Sequence, residues 1–333
     1  MKIEKDYTGL YFMKKVLPLV YIFLLNFAFG QKKDDLTEIS SFGKNPGNLK
    51  MFIHCNDSKG LKNKPLVVVL HGCSENAQSI AELSGWNKLA DLNDFVVLYP
   101  QQKASNNVDL CFNWFKEDDI NKNHGECESI FEMITYSVKH YSIDTASIYI
   151  TGLSAGGAMS VVMMVTYPDL FRSGAIFAGG AYKIATNVLE ATKTMLGKTS
   201  INKEALIKNV RKQNPGFKGS YPSMIIYQGK NDLVVNYKNA AILIEQWTGI
   251  NNCDTIADKI ESSYLGINDI TRREYVDQKG NTIIIFYDIN NLGHKLMIKP
   301  GENKNEGGQI GIYGTDKGYH STFQTAKDFG IIK

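Results

Sequence analysis

Ser147-Ile148-Tyr149-Ile150-Thr151-Gly152-Leu153-Ser154-Ala155-Gly156-Gly157-Ala158-Met159-Ser160-Val161-Val162-Met163 passes from a strand pattern to a helix pattern through a serine bracketed by glycines. The form G-x-S-x-G is that of a nucleophile elbow, a sharp strand-to-helix turn that lifts a serine hydroxyl above the edge of a sheet. Side chains at Gly152 or Gly156 would collide with the adjoining strand or helix. The slim first turn Ala155-Gly156-Gly157 leaves the Ser154 hydroxyl clear. The motif alone recurs by chance around passive serines; its position between a strand and a helix gives it weight.

Outward from this turn, strands and helices alternate. Pro65–Leu70, Asp94–Tyr99, Ile148–Ile150, Gly174–Ala178, Met224–Tyr227 and Ile283–Tyr287 are continuous apolar runs of strand length, as expected for strands covered on both faces. Leu49–His54 reads as a further extended segment after a turn cluster at Gly43–Asn48. Ile130, Met133, Ile134, Val138 and Tyr141 recur at helical spacing, as do Ala241, Ile244 and Trp247. The pattern predicts an α/β fold, a mostly parallel central sheet with helices on both faces. Residues 31–333 read as one domain, with Val188–Lys218 as a helical excursion that caps the site.

In such sheets functional groups gather at the C-terminal ends of strands. Gln228-Gly229-Lys230-Asn231-Asp232 follows one strand and Asn290-Asn291-Leu292-Gly293-His294 follows another. The order serine, acid, histidine is that of the α/β-hydrolase fold. A serine hydroxyl needs a base to take its proton as it attacks, and imidazole suits that task near neutrality, so His294 is the expected base. A carboxylate holding the other ring N–H fixes the tautomer, and Asp232 is the expected acid. Read singly, His294 is a loop histidine and Asp232 a turn-former; together behind an elbow they read as a triad. His320 is a rival base, but no predicted strand delivers it. The Ala155 amide, at a helix start, and the Cys73 amide, in the turn His71-Gly72-Cys73 after a strand, are the expected oxyanion donors.

The chain has 333 residues, 43% apolar and 21% charged, ample for a large core. Of its net charge of +3, two units lie in the first thirty residues, where Lys2, Lys5, Lys14 and Lys15 face only Glu4 and Asp6. No basic run long enough to track phosphates remains, so nucleic acid is not an expected partner. Lys14-Lys15 followed by Val16–Gly30 reads as a secretory signal over residues 1–30, with Met13 as an alternative start. Its apolar part, about 14 residues, is short of the ~20 that span a bilayer, so a secreted protein, extracellular or periplasmic, with no stable membrane association is expected. Export makes Cys55, Cys73, Cys111, Cys127 and Cys253 disulfide candidates, and the odd count leaves at least one over. His124-Gly125-Glu126-Cys127 has a loose ligand-like spacing, but no metal site and no cofactor are expected.

With His71-Gly72-Cys73, Gly85-Trp86-Asn87, Leu98-Tyr99-Pro100-Gln101, Cys111-Phe112-Asn113-Trp114-Phe115, Thr151–Met159, Tyr167-Pro168-Asp169 and Gln246-Trp247, the chain resembles the polyhydroxybutyrate depolymerase family of esterases. That family is in turn similar to the acetylxylan and feruloyl esterases of carbohydrate esterase family 1. The resemblance implies a Ser154–His294–Asp232 triad, a Cys73 amide in the oxyanion hole, a Cys73–Cys111 disulfide, and Trp114 as an apolar wall for the ester. It implies a secreted serine esterase working through an acyl-enzyme on short-chain polyhydroxyalkanoate or its oligomers, or alternatively on acetyl or feruloyl esters of plant polysaccharide. A non-catalytic binding protein of the same fold is the remote alternative. Glu75 stands where the family usually carries glutamine, Lys295-Leu296 follows the histidine, and residues 299–318 are polar and glycine-rich without a clear counterpart. These departures fall at the mouth of the site and bear on substrate rather than reaction type. No second module of the kind secreted polyester depolymerases use to hold solid polymer is expected here, which weighs against a polymeric substrate.

Overall fold

A computed structural model describes residues 36–56, 62–199 and 202–333. The signal expected over residues 1–30 lies outside the described residues. Twelve strands, β1 (Thr37–Ile39), β2 (Lys50–His54), β3 (Lys64–Leu70), β4 (Val96–Gln101), β5 (Ile143–Leu153), β6 (Ser173–Phe177), β7 (Ser223–Gly229), β8 (Lys259–Glu261), β9 (Ile270–Val276), β10 (Thr282–Ile289), β11 (Leu296–Ile298) and β12 (Gly314–Asp316), are found among them. The helices are α1 (Ala77–Ser84), α2 (Trp86–Asn93), α3 (Gly125–His140), α4 (Ala155–Thr166), α5 (Val188–Met195), α6 (Lys203–Gln213), α7 (Lys238–Ile250) and α8 (Ser321–Asp328).

The main sheet runs β1-β2-β4-β3-β5-β6-β7-β10-β9-β8, while β11 and β12 form a separate parallel pair. The interior from β4 through β10 is parallel. Antiparallel strands close both edges. Burial on both faces explains the continuous apolar runs. On β3, Leu66, Val68 and Leu70 enter one core with residues of α3, α4 and α7, while Val67 and Val69 enter the other with residues of α1 and α2. Across that second face Phe177, Tyr227 and Tyr287 stack from neighbouring strands, ring centroids 4.4 Å apart at each step.

Several boundaries differ from expectation. The strand expected from Asp94 begins at Val96, because Asp94 is the left-handed cap of α2 at φ 59°. The strand expected to reach Ala178 ends at Phe177, where the chain turns through φ 48°. The excursion after Val188 is two helices, α5 and α6. The strand β9, Ile-Thr-Arg-Arg-Glu-Tyr-Val, was not expected, since it carries an ionic ladder in place of an apolar run. Arg272 pairs with Glu274 and Glu261, and Arg273 reaches Asp288 of β10 at 3.2 Å.

The tightest constraint lies at the elbow. A Cβ on Gly152 would come 2.4 Å from the backbone of Gly156, and one on Gly156 would come 2.3 Å from the Leu70 carbonyl oxygen at the end of β3. Gly156→Ala therefore forces the helix off the sheet, with an expected stability loss of about 3 kcal/mol in urea unfolding; a loss under about 0.5 kcal/mol would contradict this packing.

Candidate active site

Ser154 occupies φ 58°, ψ −119°, a strained conformation between the end of β5 and the start of α4. Its amide donates to the Phe177 carbonyl at 2.8 Å, so the turn is anchored to the exit of β6. Ala155 is the first residue of α4, and its amide is one of the donors without an acceptor inside the helix.

The acid and the histidine are delivered by β7 and β10, whose exits are tied together. Lys230 N–H donates to the Ile289 carbonyl at 2.8 Å and Asn231 N–H to the Leu292 carbonyl at 3.0 Å. Close approach makes Gly229 necessary, since a Cβ there would lie 2.2 Å from the Leu292 oxygen. Asp232 is buried. Its Oδ1 accepts the Val234 and Val235 amides at 2.9 and 2.8 Å, and its Oδ2 lies 2.8 Å from His294 Nδ1. A carboxylate only accepts, so His294 Nδ1 carries the proton and Nε2 is left as the acceptor. Gln228 supports the same oxygen from 3.4 Å. The two valine amides and Gln228 have no signature in the sequence beyond a turn after Asp232.

The exit of β3 completes the rim. A Cβ on Gly72 would come 3.6 Å from the Ser154 Cβ, which brings the His71-Gly72-Cys73 turn against Ser154. His71 does more than turn the chain: its Nε2 accepts the Gln102 amide at 3.1 Å and its Nδ1–H donates to the Gly72 carbonyl at 2.7 Å. Burial pushes this imidazole down to about 4, so it stays neutral and holds the loop. Cys73 and Cys111 form a disulfide that closes a 38-residue separation. The loop it secures is braced from below by Glu126, which accepts from Asn113 N–H at 2.9 Å and from the side chains of Asn113 and Gln102. Burial, with Asp119 nearby, pushes this carboxyl up to about 8. His124 and Glu126 thus begin a helix and buttress a loop, while Cys127 is buried in the core with its thiol raised by burial.

Trp114 packs edge-on against Phe115 and lines a narrow pocket with Ser154, Ala155, Ala158, Met195 and Val235. His320 is buried, 2.9 Å from the Ser84 carbonyl, and burial pushes it down to about 4, so it is a packing residue.

Glu75 is the group whose importance its sequence position concealed. Its Oε2 accepts the Gly72 amide at 2.8 Å. Burial pushes the carboxyl up to about 7 against the opposing pull of the Gly72 amide and of His294. A carboxyl raised in the folded state lends stability that is complete below about pH 4.5 and is lost as pH rises through 7. Glu75→Gln keeps an acceptor for Gly72 and removes the charge. The difference in stability between pH 4.5 and 8.5, on the order of 3 kcal/mol from this site, is expected to vanish in the variant; an unchanged pH–stability curve would contradict the burial of a titrating carboxyl here.

Residues 50–262 match the family model for esterase PHB depolymerase. The chain is 37% identical over 297 residues to poly(3-hydroxyalkanoate) depolymerase C of Paucimonas lemoignei, covering 89% of this chain and 70% of that protein. It is 31% identical over 223 residues to an acetylxylan esterase of Coprinopsis cinerea, covering 65% of this chain and 59% of the relative. Among solved structures, the acetyl xylan esterase from Aspergillus awamori superposes with a TM-score of 0.74 at 22% identity, over 90% of this chain and all of that one.

Proposed function

Because the chain belongs to the esterase PHB depolymerase family, and so is a carboxylic ester hydrolase, we propose that Ser154, His294 and Asp232 are its catalytic triad. The observation that carries this reading is the 2.8 Å Asp232–His294 hydrogen bond, taken with the strained elbow conformation of Ser154. Ser154 Oγ attacks the ester carbonyl as His294 Nε2 takes its proton. The oxyanion rests on the Ala155 and Cys73 amides. His294 then gives the proton to the departing alcohol, and water, activated by the same imidazole, releases the acid. Asp232 holds the ring and stabilises the imidazolium. Trp114 forms one wall for the acyl group.

The substrate we infer is a short-chain polyhydroxyalkanoate or its oligomers. The rim carries aliphatic side chains directly after Asp232: Leu233, 90% exposed, and Val234. Apolar area of that kind favours a polyester over a sugar, which needs hydrogen-bonding groups. Acetyl or feruloyl esters of plant polysaccharide are the second reading, favoured by the 31%-identical acetylxylan esterase. The Cys73–Cys111 bridge and the apolar stretch after Lys15 support secretion. Among the described residues no helix is long and apolar enough to cross a membrane.

On p-nitrophenyl butyrate, Ser154→Ala and Asp232→Asn are each expected to lower kcat by at least about 10⁴-fold. A Ser154→Ala enzyme as fast as the wild type would end the triad reading. Clearing of a polyhydroxybutyrate suspension without release of acetate or ferulate from xylan is the outcome the polyester reading expects; the reverse selects the polysaccharide.

A further inference from the structure

Residues 299–316 have no part in the chemistry above, yet they are built with care against α1. Lys299 and Gly307 exchange backbone hydrogen bonds at 3.2 and 2.7 Å. The Gln309 amide donates to the Leu83 carbonyl at 3.3 Å, and a Cβ on Gly308 would lie 2.6 Å from that same oxygen. His320 clasps the neighbouring Ser84 carbonyl. The lobe so fixed presents Ile310 and Ile312 to solvent, 71% and 80% exposed. Its next residue, Tyr313, sets its ring edge-on to the His294 imidazole with centroids 6.2 Å apart. The Tyr313 carbonyl accepts from Leu296 N–H at 2.8 Å, two residues beyond His294, which holds that register.

Ile310, Ile312, Tyr313, Leu83, Glu75 and Glu82 line one open groove of about 270 Å³. Two of its walls adjoin the site: Tyr313 sets its ring against His294, and Glu75 holds the Gly72 amide, whose residue lies against Ser154. The pocket of Trp114, Ser154 and Ala155 is separate from it. The side of the site on which each half of an ester sits follows from proton transfer. The imidazole must reach the leaving oxygen, so the alcohol half lies on the His294 side. The pocket with Ala155, an oxyanion donor, takes the acyl half.

We propose that this groove is the alcohol-side subsite, and that Ile310 and Ile312 select esters whose alcohol is an uncharged aliphatic chain. The inference rests on the triad reading and deepens it. Two exposed branched side chains and Leu83 offer apolar area that a short alcohol leaves unused and a longer chain covers. Glu82 in the same groove disfavours a free carboxylate, so the occupant is the interior of a polyester chain or an esterified end, in preference to a free acid terminus.

The test holds the acyl group constant and changes only the alcohol: methyl butyrate against hexyl butyrate, followed by pH-stat with the full enzyme. Wild type is expected to favour the hexyl ester in kcat/KM. Ile310→Ser with Ile312→Ser is expected to lower kcat/KM for hexyl butyrate about tenfold while methyl butyrate stays within about twofold. Ile310→Val with Ile312→Val is expected to restore most of the preference. Both positions are exposed, so an unchanged melting temperature accompanies the result. Equal loss on both esters, or no loss on either, overturns the groove assignment and leaves the triad standing. A wild type inactive on both esters overturns the triad reading and the subsite with it.

Discussion

The packing of α4 onto the end of β5 governs this molecule. With no side chain at Gly152 or Gly156, strand and helix backbones approach to a distance that any Cβ would violate. That approach forces Ser154 into a strained turn, aims its side chain off the sheet, and brings the helix start with its Ala155 amide beside it. All of α4 is buried, so the strain is held by a helix that cannot move away. Ser154 is thus positioned by apolar burial on both faces of the sheet, and backbone hydrogen bonds, from its amide to the Phe177 carbonyl and from the Ala158 amide to its own carbonyl, hold the turn.

The other groups reach the same rim by backbone ties between strand exits, with few side-chain contacts. The β7 and β10 exits share two amide–carbonyl bonds, and the β3 exit is held by neutral His71 and a disulfide. Buried polar groups reinforce this. Asp232 has both oxygens satisfied, and Glu126 binds the loop that carries Asn113 and Trp114. Each such group is costly to bury alone and is stable only as part of a completed network, which makes the rim rigid where proton transfer needs fixed distances.

The interior strands were legible because burial on both faces writes itself as apolar runs, and so was the placement of Ser154, Asp232 and His294 at strand exits, because each follows such a run. The edge was not: β9 is held by Arg272 and Arg273 to acidic neighbours, a pattern that reads as a polar loop. Helices α1, α2 and α8 are only eight residues each, too short for a clear period. Glu75 appeared as a departure from the family, but its raised carboxyl depends on what surrounds it. Ile310, Ile312 and Tyr313 sit in a glycine-rich stretch with no periodicity. Only the clasp to Leu83 and Ser84 turns that stretch into a wall of the groove over α1.

The central claim is that one serine in this fold is activated by its neighbours. Intact-protein mass spectrometry after exposure to an alkyl fluorophosphonate tests it most directly, with peptide mapping of the adduct. The account predicts one equivalent bound, mapped to Ser154, formed by the native protein and not by protein unfolded in urea before exposure. No adduct, or an adduct on another residue, would contradict it.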